Sequence, residues 1–387
     1  MPCRLWLCRG VSCEKGRIAL STPTITSSDL EQMVSSNDDV FAAMSGRDLL
    51  ITGGAGFLGY YMVQAPLAWN RANQGRAPIG VTVLDNFFRG RPGWLQRLED
   101  EPNLSVSRYD MRDPLPSDMA DFDFYIHAAG IASPRYYRLH PIETMDANIT
   151  GLRSLLDKAV AHSDRREVRG FLFFSSSEIY GDPPADQIPT PEEYRGNVSS
   201  TGPRACYDES KRYGETLCVN FAQVHDLPVT MARPFNNYGP GMKITDGRVI
   251  ADFARNILGG EDIVMHSDGS PTRTFCYVSD AVAGYFRVLV RGGPGEPYNI
   301  GTAEPEISMA ALADMMVELG ALELEYQGKV VKEPSPEEAF LIDNPNRRCP
   351  NIDKARLEVG YEPKVDLREG LRRTLLWYAD NREGDER

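Results

Sequence analysis

The chain has no excess of positive charge, no long apolar run and no even set of cysteines, and each absence argues against a class of function. Its 42 Lys and Arg stand against 55 Asp and Glu, a net charge of −13. Non-specific nucleic-acid binding needs a basic face, so no nucleic-acid partner is expected. A small anion remains open as a ligand, because a local group of arginines outweighs the global sign at short range. No run approaches the length of a membrane span, and the apolar "LWL" near the N-terminus is too short for a signal-peptide core; no membrane partner is expected. The seven cysteines are Cys3, Cys8, Cys13, Cys206, Cys218, Cys276 and Cys349. An odd count in a long chain argues against a disulfide framework and for a reducing, cytoplasmic compartment. Cys3, Cys8 and Cys13 are evenly spaced, but they lack CxxC spacing and a fourth ligand, so no metal is expected. Internal repeats and low-complexity tracts are also missing.

What is present is enough length, 387 residues, to bury a sizeable core. Residues 1–46 are rich in Ser, Thr and Asp and read as a flexible extension with one short helix near Asp29–Met44. Strands are expected at Asp48–Gly54, Val81–Asp85, Leu104–Asp110, Phe122–Ala129, Gly170–Ser177 and Leu227–Pro234. Helical spacing follows the first strand, with Pro66 expected to end or kink it, and a long amphipathic segment covers Thr144–Ala161. Short apolar strands alternating with helices predict a parallel sheet covered on both faces. After Pro234 glycine and proline become frequent, and helices are expected at Ser308–Leu319 and Leu367–Tyr378. This part reads as a smaller region over the carboxyl ends of the strands, where open α/β sheets bind ligands.

The segment "TGGAGFLG" places Gly53, Gly56 and Gly59 between a strand and a helix. Glycines there let the backbone approach a pyrophosphate, and the helix N-terminus supplies oriented N–H groups. Phe57 and Leu58 lie inside the motif and are assigned to the cofactor with it. The second strand ends in Asp85, followed by Asn86. An acidic residue at that place accepts from ribose hydroxyls and repels a 2′-phosphate, which favours NAD; Arg89 close by blunts that preference. The fold class is therefore α/β, a Rossmann-type doubly wound parallel sheet with a smaller C-terminal α/β substrate-binding region. The expected division is a NAD-binding domain over 47–235, a mainly substrate-binding part over 236–380 that partly returns to the sheet, and a tail over 381–387.

In "YDESK", Tyr207 and Lys211 are spaced i, i+4, which on a helix puts both on one face. A nearby Lys⁺ stabilises phenolate, so such a Tyr accepts an alcohol proton while hydride leaves to NAD⁺. Ser176, at the end of the strand before "SSSEIYG", is placed to steady the same oxygen. With the glycines, this pair resembles the extended short-chain dehydrogenase/reductases that act on nucleotide sugars, over most of residues 47–380. The stretches "DNFFRGR", "ASPRYYRLHPIET", "SSSEIYGDP", "GPRACYDESKR", "DGRV", "SPTRTFCYVSD" and "NRRCPNIDKA" most resemble the UDP-glucuronate decarboxylase (UDP-xylose synthase) family. The resemblance implies a redox detour: C4 oxidation, loss of CO₂ from the resulting β-keto acid, and return of the hydride. It also implies that Asp110 and Met111 border the adenine and that Ala128 and Ala129 line the cofactor. Arg248, Arg273, Arg348 and Asn236 would hold the nucleotide and its phosphates, with Tyr137 beside the sugar. Glu178 would hold the sugar, orient the ketone or handle a proton at C5. A homodimer is expected on the same ground.

Three departures from the family pattern stand out. Arg135 and Tyr136 replace Pro and Asn, Gly241 replaces an Arg, and "HAAGIAS" (His127–Ser133) replaces "HLASPAS". His127 reads as a structural residue beside the cofactor. A 4,6-dehydratase needs an acid at the position of Ser177, which a serine does not supply. A 4-epimerase that retains the carboxylate is the main rival, and a catalytically silent NAD-sensing protein the distant one.

Overall fold

The computed structural model describes residues 22–163, 165–333 and 345–381. Six segments form parallel strands: β1 (Asp48–Thr52), β2 (Gly80–Asp85), β3 (Leu104–Arg108), β4 (Phe124–His127), β5 (Gly170–Phe174) and β6 (Val229–Pro234). A seventh strand, Pro297–Ile300, adds beyond β6 and returns the C-terminal half of the chain to the sheet. The order is Pro297–Ile300, β6, β5, β4, β1, β2, β3, with every neighbouring pair parallel. β4 and β5 are buried along their whole length, as central strands covered on both faces must be. Side chains alternate between two cores: Leu49 and Ile51 face one, Leu50 the other, and Leu172 and Phe174 oppose Phe171 and Phe173.

Among the described residues the helices are α1 (Thr22–Ser36), α2 (Asp38–Ala43), α3 (Gly59–Ala72), α4 (Gly93–Gln96), α5 (Pro134–Leu139), α6 (Pro141–His162), α7 (Ala205–His225), α8 (Val249–Gly259), α9 (Val278–Arg291), α10 (Met309–Leu324), α11 (Asp353–Val359) and α12 (Leu367–Asp380). The chain leaves β1 toward β2 and β3 on one side and continues at β4 on the other. That reversal opens a crevice at the carboxyl ends of β1 and β4. The C-terminal half places a three-stranded sheet over it, in which Thr272–Arg273 pairs with Ile307–Ser308 and with Arg347–Arg348.

Two expectations need correction. Helix α3 does not end at Pro66 but continues to Ala72. A proline in a helix interior costs about 3 kcal/mol, and the burial of Tyr61, Met62, Ala65, Leu67 and Trp69 on this helix offsets that. The second correction concerns residues 22–46, which form two packed helices where a flexible extension with one short helix near Asp29–Met44 was expected. Ile25, Leu30, Met33, Val34, Val40, Phe41 and Met44 are all buried in the larger core. One of the polar residues that suggested a loose leader, Asp29, is a buried partner. Asp29 Oδ2 accepts from Tyr61 Oη at 2.6 Å and Tyr277 Oη at 2.8 Å, and its Oδ1 accepts from Arg373 Nη1 at 2.7 Å. Trp69 Nε1 donates to Asp38 Oδ1 at 2.9 Å. Residues 1–21, with Cys3, Cys8 and Cys13, lie outside the described residues, as do 382–387.

Asp29 thus ties α1 to α3, to the strand before α9 and to α12. Replacing one partner of a buried ion pair costs about 3–5 kcal/mol, because the other charge is left behind. Asp29→Ala should lower the unfolding free energy by about 3 kcal/mol in urea titrations. Unchanged stability would mean that α1 adds nothing to the fold.

Candidate active site

At the carboxyl ends of the strands lies a cleft of about 1140 Å³, and all the residues nominated from the sequence line it. One end is built by β1, its glycines and β2. Gly53 has φ of +73°, and a Cβ there would lie 2.7 Å from the Ala129 backbone. A side chain would therefore close the gap between the carboxyl ends of β1 and β4. Gly59, at the start of α3, packs against the Gly54 carbonyl with no room for a Cβ. Asp85 Oδ2 accepts from Ala55 N at 3.0 Å and Oδ1 from Phe87 N at 2.8 Å, so the carboxylate fixes both the glycine loop and the turn after β2. Burial raises its pKa, against those two backbone donors. Asn86 Nδ2 donates to Asp110 Oδ2 at 3.0 Å, and Met111 is buried beside Gly151. The glycine cradle, the ribose-side carboxylate and the helix N-terminus fit a dinucleotide.

The middle of the cleft holds the Tyr–Lys pair. Both are buried on α7 and face the end of β5. Burial pushes the Tyr207 hydroxyl up to about 12, although a hydrogen bond with Ser176 and the charge of Arg248 pull the other way. Lys211 Nζ donates to the Phe174 carbonyl at 2.7 Å, and burial pushes its pKa down to about 7. The sequence reading had Lys211 lowering the tyrosine pKa. In the structure burial dominates at both residues, and the ammonium sits 5.7 Å from the Tyr207 ring centroid. Tyr137 stacks on Tyr207 with ring centroids 5.1 Å apart and planes 13° apart. Its buried hydroxyl makes no hydrogen bond among the described residues and lines the cleft, ready for a polar ligand. His127 Nδ1 lies 2.8 Å from Thr52 Oγ1, and burial, followed by the charge of Lys211, pushes the ring down to about 3. It is neutral there, a strut between β1 and β4.

The far end is cationic. Ser176 caps the turn Ser177–Tyr180, its Oγ accepting from Glu178 N at 3.1 Å. Glu178 is gripped by two guanidiniums, Arg204 on one oxygen and Arg348 on the other. Burial opposes ionisation of that carboxyl, yet Arg348 and Arg204 together bring it down to about 2. Arg348 Nη1 also lies 3.4 Å from Ser177 Oγ. Arg273 is the register partner of Arg348 across the short strands, and burial and Arg348 lower its pKa to about 10. Two arginines thus meet one glutamate, with Arg273 close enough to feel the charge of all three. Asn236, in the left-handed region at φ +39°, donates through Nδ2 to the Thr274 carbonyl at 2.9 Å and holds this end to β6. Arg248 lies over the Phe57 ring, 5.8 Å from its centroid, and 3.2 Å from Asp246 Oδ1.

Arg204 and Asp246 were missed in the sequence. Arg204 stands in "GPRACYDESKR", at the residue that opens the helix of Tyr207, and that place was its only signal. The Gly241 departure has a steric cause. At φ +90° a Cβ would strike Tyr60 of α3, and the Phe57 carbonyl lies 3.1 Å away.

A model of the NAD dependent epimerase/dehydratase family matches residues 49–301. UDP-glucuronic acid decarboxylase 5 of Arabidopsis thaliana is 39 % identical over 327 residues, covering 84 % of this chain and 88 % of that protein. UDP-glucuronic acid decarboxylase 1 of Xenopus tropicalis is 35 % identical over 339 residues, covering 87 % and 73 %. Among solved structures, a UDP-glucose 4-epimerase of Thermotoga maritima with UDP-glucose superposes with a TM-score of 0.73 at 27 % identity, covering 87 % of this chain and 100 % of that one. A dTDP-glucose 4,6-dehydratase of Streptomyces venezuelae, with NAD bound, does so at 0.73 and 26 %, covering 86 % and 97 %. The chain belongs to the NAD dependent epimerase/dehydratase family, among relatives that are UDP-glucuronic acid decarboxylases.

Proposed function

We propose that this chain is an NAD-dependent decarboxylase of a nucleotide-linked glucuronate, converting UDP-glucuronate to UDP-xylose. The observation that carries the reading is the end of β5. There Ser176 is turned to Tyr207, Glu178 is locked between Arg204 and Arg348, and Ser177 lies against Arg348 where a dehydratase would need an acid. The glycine motif, Asp85, Asn86, Ala128 and Ala129 hold the cofactor, with Asp110 and Met111 at its adenine end. NAD⁺ held by these residues would supply the redox chemistry, accepting and returning the C4 hydride.

Tyr207 Oη accepts the C4 hydroxyl proton, with Ser176 Oγ holding the same oxygen. The ketone so formed lies β to the C6 carboxylate. The C5–C6 bond then breaks, CO₂ leaves, and the electron pair becomes an enolate whose oxygen faces Tyr207 and Ser176. A proton from water adds at C5 and regenerates the C4 ketone, and Tyr207 returns its proton to the C4 oxygen when that carbon is reduced. Lys211 keeps N–H donors for the ribose and brings positive charge near the phenol. Glu178, ionised down to about pH 2, does not exchange protons at neutral pH. Of the roles first open to it, orientation of the sugar and of its two arginines is the one its environment supports. Arg273, Arg248 and Asn236 face the diphosphate end, and Tyr137 the sugar.

The partner we assign is a second copy of the chain. Ile142 (65 % exposed) and Met145 on α6 and Tyr213 (50 % exposed) on the adjacent α7 are exposed apolar side chains that an isologous contact would cover. A cytoplasmic setting accords with Cys206, Cys218, Cys276 and Cys349, which are all free thiols. No helix among the described residues is long and apolar enough to cross a membrane.

Incubation with UDP-glucuronate and NAD⁺ should release CO₂ and form UDP-xylose; a C4 epimer without CO₂ would overturn the reading. Tyr207→Phe should cut turnover by about 10²–10⁴-fold while NAD⁺ binding, followed by calorimetry, persists. Glu178→Gln should still reduce NAD⁺ at the C4 step, seen by absorbance, yet release little CO₂. The same variant tests the charge. The folded pKa of Glu178 is depressed, so its stabilising contribution is complete above its ordinary value of about 4.3 and lost as pH falls toward 2. The stability gap between the wild type and the Gln variant should therefore be widest near neutrality and narrow on acidification in urea titrations.

A further inference from the structure

Arg89 lies four residues beyond Asp85 and lines the cleft. In Rossmann-type pockets an arginine in this neighbourhood accommodates the 2′-phosphate of the phosphorylated dinucleotide. The structure shows this one held elsewhere. Its Nη1 lies 2.7 Å from Oδ2 of Asp246, a carboxylate only 4 % exposed. Its guanidinium lies over Tyr136, 4.6 Å from the ring centroid. Lys243 Nζ donates to the Arg89 carbonyl at 2.6 Å and fixes the backbone. Asp246 is anchored in turn, since Ser133 Oγ donates to its carbonyl at 2.9 Å. Tyr136, one of the departures from the family pattern, thereby gains a role: it is the platform for Arg89.

Two other arginines near the ribose end are paired as well. Arg112 donates to Asp110 at 2.9 and 2.7 Å, and Arg91 Nη2 lies 2.9 Å from Glu99 Oε1. A phosphate on the 2′-oxygen would meet the Asp85 carboxylate and three guanidiniums already engaged by carboxylates. Of these pairs, Arg89–Asp246 is the most shielded from water, and so the one whose loss most changes the field in the pocket.

We propose that Asp246 sets cofactor choice: by holding Arg89 it denies a 2′-phosphate its counter-charge and keeps the pocket selective for NAD⁺ over NADP⁺. The proposal rests on the dinucleotide reading of the cleft. Calorimetric titration of the full chain with NAD⁺, NADP⁺ and 2′,5′-ADP tests it. Asp246→Asn should raise the affinity for NADP⁺ relative to NAD⁺ by about tenfold or more, the worth of a charged hydrogen bond. Adding Arg89→Ala should remove the gain, which separates Arg89 from Arg248, the other guanidinium on Asp246. Arg89→Ala alone bares the Asp246 carboxylate and should bind NADP⁺ no better than the wild type. An unchanged ratio in an Asp246→Asn protein that melts at the wild-type temperature would overturn the proposal. So would a gain that survives loss of Arg89, or tighter NADP⁺ binding by Arg89→Ala alone, a variant that still decides the matter if Asp246→Asn fails to fold. Failure of the wild type to bind NAD⁺ would instead strike the dinucleotide reading beneath it.

Discussion

One glutamate holds the working end of this molecule together. Glu178 stands just past β5, its two oxygens taken by Arg204 at the start of α7 and Arg348 on a short strand far along the chain. An ion pair this deep is costly to form, because each charge gives up its water. It persists because the carboxylate has two partners at once, and because Ser176 Oγ and the Gly181 carbonyl satisfy neighbouring donors. Breaking it would leave arginines unpaired beside Tyr207. The position of the tyrosine, the entry of α7 and the closure of the C-terminal sheet over the cleft all follow from it.

The rest of the site divides along the sheet. The switch between β1 and β4 leaves a crevice that only glycine can border at Gly53, and the Asp85 carboxylate locks the loop on the other side. This half is built from backbone and is rigid before anything binds. The other half is built from long side chains on short strands, Arg273 against Arg348, and takes its shape from mutual charge. Asp246 joins the halves, with Arg89 from the β2 loop on one oxygen and Arg248 near the other.

How much of this was legible follows from the range of the signals. The glycine spacing, Asp85 and the Tyr207–Lys211 pair are local patterns tied to a strand or a helix, and the structure puts them in one cleft. The pairing of Arg348 with Arg273 depends on strands of two residues, too short to show any periodicity. Arg204 was inside a quoted motif but outside the helical pair that drew attention. Asp29 misled because a polar residue reads as surface, and only the fold reveals that Tyr61, Tyr277 and Arg373 await it. Pro66 misled for the opposite reason. Its local penalty is real, and tertiary burial of its neighbours exceeds it.

The three arginines and one glutamate also bear on rate. Decarboxylation moves negative charge from the C6 carboxylate to the C4 oxygen, so what counts is how differently the site treats the two ends. A free guanidinium beside C6 would bind the carboxylate tightly and stabilise the state that must be left, which lowers KM without raising kcat. Glu178 occupies two of the arginines and removes most of that attraction. At the other end, Tyr207 and Ser176 present hydroxyls to the oxygen on which charge appears. Having taken up the C4 proton, Tyr207 is at that stage a phenol, a better partner for an enolate than a phenolate would be, because it can donate. The carboxylate that seems to waste two cations is thus what tilts the field along the reaction path.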